Sequence, residues 1–380
     1  MKRRYKVLGI VFVLGMATLS ALGLALSHNS SCGAAPALPG DNKLMTAVVY
    51  RCYGSPDVLK LEEIAKPSPA DDRMLVRVHA ASVNPLDWHY MRGEPYFMRA
   101  MAGMGSPNSI HMGVDFAGTV ESVGKKVTRF KPGDELFGGR DGAFAEYVSV
   151  AENGSVARKP VNLTFEQAAA APIAAVTALQ ALRDKGKVHP GQHVLIDGAS
   201  GGVGTFAVQI AKAFGARVTG VCSTRNLGLV RSIGADRVID YTKEDFTAGS
   251  ERYDLIIDTV GTHSLWDYRR VLTPDGTLVM VGALDKGHWL GPLWGSVKAL
   301  FVSPFISQKF VFFLADLDQS DLGVLRDLME AGKVTPVIDR TYALSDVPAA
   351  IGYLEQGHAR GKVVITVKWP GSPATHMDRP

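Results

Sequence analysis

Two hydrophobic rhythms divide the chain. Over residues 46–51, 75–80, 118–123 and 143–148 apolar and polar side chains alternate, the period of a strand with one face buried. Turn-rich pieces such as Lys66-Pro67-Ser68-Pro69 and Lys131-Pro132-Gly133-Asp134 separate these runs, which predicts a strand-rich antiparallel region. After Leu163 the texture changes. An Ala-rich helix is expected over 165–184, followed by apolar strands at 193–197, 217–222, 237–240, 255–258 and 277–281, with helices over 203–214 and 227–233. Strands alternating with helices require right-handed crossovers and a doubly wound parallel sheet. A helix from Asp321 and a last alternating segment, 362–367, read as a return to the first region. The domain reading is therefore 44–164 and 319–370 for one unit, 165–318 for the other, and a flexible tail over 371–380.

The N-terminal segment follows neither rhythm. Residues 7–26 carry no charge and follow the cations Lys2, Arg3, Arg4 and Lys6. As a helix rising about 1.5 Å per residue, this run reaches about 30 Å, the thickness of a hydrocarbon core. A retained, membrane-associated anchor is expected. The alternative is export after signal cleavage, with small residues at Ala25 and Ser27 or at Ala35 and Ala37. The preceding charge would translocate the body. Residues 29–41, rich in Ser, Ala, Pro and Gly, read as a linker, so 1–43 stands outside the folded body.

Composition adds exclusions. With 46% hydrophobic and 21% charged residues the chain is globular. Its net charge of +4 is small, and four cations sit at the extreme N-terminus, so no nucleic-acid partner is expected. Cys32, Cys52 and Cys222 form no C-x-x-C pair, which argues against a disulfide framework and a cysteine-rich zinc site. A Cys32–Cys52 bridge is disfavoured on the same ground.

Chemistry concentrates at Gly198-Ala199-Ser200-Gly201-Gly202-Val203-Gly204, between a buried strand and a helix. Bare backbone at Gly201 lets a pyrophosphate approach, and Gly204 lets the helix pack on the strand. Orphan amides and the helix dipole then face the phosphates. The next strand ends in Val221-Cys222-Ser223-Thr224-Arg225-Asn226, with no carboxylate to accept the ribose hydroxyl of NAD. Hydroxyls and a guanidinium suit a 2′-phosphate instead, so the expected cofactor is NADPH.

The chain resembles the medium-chain dehydrogenase/reductase superfamily, in its zinc-independent quinone oxidoreductase (zeta-crystallin-like) branch. The motifs that carry the resemblance are Ala81-Ser82-Val83-Asn84-Pro85-Leu86-Asp87, Gly113-Val114-Asp115-Phe116-Ala117-Gly118, Phe130-Lys131-Pro132-Gly133-Asp134, Gly142-Ala143-Phe144-Ala145-Glu146-Tyr147, the glycine turn, and Gly234-Ala235-Asp236 before Asp240-Tyr241. It implies an α/β fold: a GroES-like catalytic domain split around a Rossmann domain. It also implies roles. Asn84, Asp87 and Tyr90 wall the substrate cleft; Thr177 lies near the nicotinamide; Ser200, Gly201, Gly202, Val203 and Gly204 hold the pyrophosphate. Ser223, Thr224 and Tyr241 surround the adenosine phosphate, where Arg225 could join them or remain a solvated surface residue. Val260, Gly261, Gly282 and Leu284 line the cofactor, and Lys362 follows the closing glycine. Asn84 and Asp87 could equally serve as turn caps, and Tyr90 as a packed aromatic.

Zinc-dependent cousins carry Cys where this chain has Asn84-Pro85, and a His-Glu pair at Val114-Asp115. His79, His89 and His111 have no partner ligand at a useful spacing, so no metal is expected. The predicted reaction is hydride transfer from NADPH to a quinone or an α,β-unsaturated carbonyl, with Tyr90 or the Asn84 amide donating a hydrogen bond to the developing oxyanion. A zinc-free alcohol dehydrogenase or ketone reductase, or a weakly catalytic NADPH-binding membrane partner, are the alternatives. Residues 288–313, apolar and without an acid, suit either a lid for a lipophilic substrate or a homodimer interface.

Overall fold

The computed structural model describes residues 16, 18, 20–35, 43–282, 287–289 and 307–369. Two sheets organise them. One has six strands, in the order Arg237–Asp240, Arg217–Cys222, His193–Asp197, Tyr253–Asp258, Leu272–Met280 and Lys309–Phe312, each parallel to its neighbours. The strand His193–Asp197 is apolar over its three central residues because both faces are covered: Val194, Leu195 and Ile196 are fully buried. The chain runs outward from His193–Asp197 in one direction and then restarts beside it at Tyr253–Asp258. The strand order therefore reverses between these two, and a crevice opens at their carboxyl ends. The edge strand Lys309–Phe312 was not among the five expected strands; it falls in the apolar 288–313 stretch, whose residues 290–306 lie outside the described residues.

The other sheet is mainly antiparallel and runs Ile338–Ala343, Lys362–Thr366, Arg73–Val83, Asp115–Val123, Glu135–Gly139 and Val156–Arg158, with Tyr147–Ala151 also pairing Arg73–Val83. The late strand Lys362–Thr366 lies against Arg73–Val83, with Val363 opposite Val83. The architecture is α/β, a GroES-like sheet beside a Rossmann-type parallel sheet. One expected element divides. The helix over 165–184 is two helices, Phe165–Ala169 and Pro172–Gln180, followed by a wide turn at Ala181–Lys185. Pro172 has no amide hydrogen to continue the first helix and instead opens the second at its first turn.

The expected membrane helix over 7–26 is corrected. Among the described residues no helix is long and apolar enough to cross a membrane. Residues 20–27 are helical but belong to the body, and 1–15, 17 and 19 lie outside the described residues. Leu26 is buried. The buried Arg99 guanidinium donates to the carbonyls of Leu26 at 2.9 Å and His28 at 3.1 Å, and Ser30 N donates to Gly105 O at 2.8 Å. A buried cation without a carboxylate needs such carbonyl partners, and the N-terminal segment supplies two of them. The cysteine reading is corrected with it: Cys32 and Cys52, 4.7 Å apart at Cα, form a disulfide that ties this segment to the chain just past the strand Leu44–Val49. The linker over 29–41 is described only to residue 35, and the tail over 371–380 lies outside the described residues.

Candidate active site

The crevice at the sheet's switch point starts from the glycine turn. Gly198 has φ +82°, and a Cβ there would lie 2.3 Å from Thr259 Oγ1, so only glycine fits. At Gly204 a Cβ would sit 2.1 Å from the Gly198 carbonyl oxygen, which is why the helix Gly202–Ala213 can seat directly on the turn. A Cβ on Gly201 would meet only that same oxygen, at 3.4 Å, and otherwise open space. The bare backbone, the first amides of an apolar buried helix and Ser200 form a cradle with room for a pyrophosphate. Asn226 donates from Nδ2 to Ser200 Oγ at 2.9 Å and Ser223 Oγ at 3.2 Å. Its Oδ1 is buried with no hydrogen-bond partner among the described residues, an acceptor ready for a ribose hydroxyl. These features fit a dinucleotide.

At the adenosine end, Ser223, Thr224, Arg225 and Tyr241 gather where two neighbouring parallel strands stop. Tyr241 is exposed. Arg225 donates to the His358 carbonyl at 2.9 Å. The Thr224 hydroxyl is turned away, onto Asp240 Oδ2 at 2.6 Å. Hydrogen bonds from Thr224 and Thr242 hold this carboxyl below its ordinary range, so a charged group stands beside the site that the carboxylate-free end of the preceding strand had suggested. Deeper in, Val260 and Gly261 are fixed by their amides, which donate to Asp258 Oδ1 at 2.9 and 2.8 Å. Tyr268 donates to Asp197 Oδ2 at 2.9 Å. Burial, with the neighbouring Asp258 charge, pushes the Asp197 carboxyl up to about 7. Gly282 follows the strand Leu272–Met280; Leu284 lies outside the described residues.

Opposite stands the helix Pro85–Arg92, which carries the cleft residues. Asp87 caps it, accepting from Asn84 N at 2.7 Å. Burial, reinforced by Asp115, pushes the Asp87 carboxyl up to about 7. Asn84 is 1% exposed and fully engaged: Nδ2 donates to Asp115 Oδ2 at 2.9 Å and to Ser82 O at 3.4 Å, while Oδ1 accepts from Lys362 Nζ at 2.6 Å. The expectation that its amide could donate to a substrate is therefore corrected. Tyr90, at 38% exposure, keeps its hydroxyl free of hydrogen bonds to any described residue. Thr177 is buried on the helix Pro172–Gln180 with its hydroxyl donated to Ile173 O at 2.7 Å.

Lys362 joins the two walls. Its stem passes within 3.4 Å of where a Cβ on Gly202 would lie, and Gly361 pairs with Gly201 across the domain seam. Burial lowers the affinity of its ammonium for a proton. The sequence reading passed over Asp115, Asp197, Asp258 and Asn226 as site residues. A signal existed for the first three: each is an acid at one end of a largely apolar strand, where burial without a partner is costly. The histidines scatter. His79 shares a hydrogen bond with Thr119 at 3.1 Å, His89 with the Glu94 carbonyl at 2.8 Å, and His111 bridges Val49 through its backbone. Among the described residues no three His, Cys, Asp or Glu gather as a metal site.

Two family models match: an alcohol dehydrogenase GroES-like domain over residues 70–161, and a zinc-binding dehydrogenase over 233–365. The mitochondrial NAD(P)H oxidoreductase RTN4IP1 of Mus musculus is 36% identical, across 85% of this chain and 89% of its own. The chain belongs to the medium-chain dehydrogenase/reductase superfamily, in its zinc-independent quinone oxidoreductase branch. It is an oxidoreductase. A chloroplastic NADPH-dependent alkenal/one oxidoreductase of Arabidopsis thaliana is 33% identical over 95% of this chain and 90% of its own. The quinone oxidoreductase of Coxiella burnetii superposes with a TM-score of 0.74 at 32% identity, covering 86% of this chain and all of that one. The first two of these relatives carry an organelle in their names, mitochondrial and chloroplastic.

Proposed function

We propose that the chain uses NADPH to reduce the activated double bond of an α,β-unsaturated carbonyl or a quinone. The observation that carries the reading is the pairing of two walls: a bare-backbone cradle at Gly201–Gly204 and, joined to it through Lys362, a helix whose exposed Tyr90 hydroxyl makes no hydrogen bond to a described residue. When bound, the reduced nicotinamide supplies a hydride from C4. Ser200 to Gly204 hold the pyrophosphate, while Ser223 and Arg225 meet the 2′-phosphate, the guanidinium offering charge to offset Asp240. Asn226 Oδ1 accepts from a ribose hydroxyl. Val260, Gly261 and Gly282 line the nicotinamide end, and Thr177 packs beside it. Tyr90 donates to the oxygen that becomes an enolate or hydroquinolate, the role a metal plays in zinc-dependent cousins. Relatives named as an alkenal/one oxidoreductase and a quinone oxidoreductase support this choice over a plain ketone reductase.

Domain limits follow the same reading: 44–164 with 319–370 forms the catalytic unit around a cofactor unit at 165–318. The edge strand Lys309–Phe312 pairs on one side only among the described residues, which suits a homodimer joined along that edge. The test is turnover with NADPH against a panel of quinones, enones, aldehydes and ketones. Enones or quinones should be reduced, and Tyr90→Phe should lower kcat by about 10- to 100-fold with NADPH affinity unchanged. Reduction of saturated ketones alone, or full activity in the Phe variant, would overturn substrate class and donor respectively.

A further inference from the structure

Asp115 is fully buried, at 0% exposure, and no part of the reading above uses it. Its two oxygens collect four donors from three separate segments. Oδ2 accepts from Ser82 Oγ at 3.0 Å, from Asn84 Nδ2 at 2.9 Å and from Lys362 Nζ at 3.4 Å. Oδ1 accepts from Ile173 N at 3.0 Å, in the first turn of the helix that carries Thr177. One carboxylate thus holds the cap of the cleft helix, the strand-end lysine beside the glycine turn, and the start of the helix under the nicotinamide end. The first belongs to the substrate wall and the last to the cofactor wall, while the lysine comes from the same sheet as the first and reaches the glycine turn. A buried anion meeting this many donors is fixed in place, because each donor that left would strand a polar group away from water.

We propose that Asp115 is a positioning residue for hydride transfer: it sets the spacing between the Tyr90 helix and the cofactor cradle by tying both to one carboxylate. This rests on the NADPH reductase reading for its activity readout. The physical requirement is strict, since a displacement near 1 Å between reacting atoms can cost about 100-fold in rate. The hub also competes for Lys362. The Lys362 stem lies against Gly202 at Cδ while its ammonium is held by Asn84 Oδ1 and Asp115 Oδ2, so a pyrophosphate on the turn would compete with Asp115 for the cation at the end of that stem.

That competition separates positioning from mere structural support. Replacement of Asp115 by Asn keeps the shape, removes the charge and releases the lysine. NADPH titration by nicotinamide fluorescence should therefore show affinity held or tightened. In the same variant kcat with an enone should fall by about 10- to 100-fold, and the isotope effect with C4-deuterated NADPH should rise as hydride transfer becomes limiting. A structural defect would instead weaken binding and turnover together, and that result would overturn the inference. Ser82→Ala, which withdraws one donor and no charge, should shift kcat in the same direction by a smaller factor, and serves if the Asn variant does not fold. Should the wild type reduce no quinone or enone, the reductase reading fails alone. Hydrogen exchange in the full chain then decides this inference: uptake at Ile173 and along Lys362–Thr366 should speed up in Asp115→Asn, and unchanged uptake there would sink it.

Discussion

On the cofactor side of the crevice the working groups are mostly backbone; on the substrate side they are buried side chains. The cradle at Gly198–Gly204 owes its shape to missing Cβ atoms within seven consecutive residues. The cleft corner owes its shape to Ser82, Asn84, Asp87, Asp115 and Lys362, which come from distant parts of the chain. The backbone cradle has no room for a side chain at Gly198 or Gly204. The side-chain corner tolerates changes of shape poorly for another reason: its residues are buried and hydrogen-bonded to one another. The two walls should therefore fail differently when disturbed.

The largest effect should come from steric intrusion on the backbone side. Gly204→Val forces a side chain into the 2.1 Å gap to the Gly198 carbonyl. Displacing the helix start should cost about 3 kcal/mol, on the order of 100-fold in NADPH affinity. Fluorescence titration checks it, and binding within a few-fold of wild type would show that the turn is not the cradle. A smaller effect is expected from charge at the same wall's outer end. Arg225→Ala should reduce the preference for NADPH over NADH by about tenfold, near 1.4 kcal/mol, with NADH binding unchanged. Equal losses for both dinucleotides would assign Arg225 to its His358 contact alone.

The smallest expected effect is on the pH dependence of stability, and it probes the one place where the cofactor wall also buries acid. The Asp197 carboxyl is pushed up to about 7 in the folded chain, from an ordinary value near 4 when unfolded. The folded state therefore binds the extra proton, so this group stabilises fully below pH 4, and the contribution is lost as pH rises through 7. Asp197→Asn removes that loss. Between pH 4 and 8 its Tm should fall less than that of the wild type, by a few degrees. A parallel pair of Tm profiles would show that Asp197 does not titrate there. Asp87 carries the same sign and remains in both proteins, so the difference isolates Asp197.

Much of this was legible because it is local. The glycine turn, its strand and its helix lie within about 20 residues, and spacing alone reveals a backbone that must approach a phosphate. The period of the strands likewise announced two sheets of different kinds. Pro172 was equally visible, yet the Ala-rich run around it overrode its meaning, and a single helix was expected where two exist. The N-terminal run misled for a deeper reason. Length and hydropathy describe what a segment could do alone; Arg99 and Cys52, far along the chain, hold its end to the body.

Sequence by itself therefore determined the family, the parallel sheet and the position of the glycine turn, since those depend on period and on missing side chains. Only tertiary structure decided what each polar group is free to do. Asn84 and Thr224 looked available on paper and are spent on Asp115, Lys362 and Asp240, while Tyr90 remains open. A hydrogen bond can be made once per proton, and which partner claims it depends on distances that no spacing along the chain encodes.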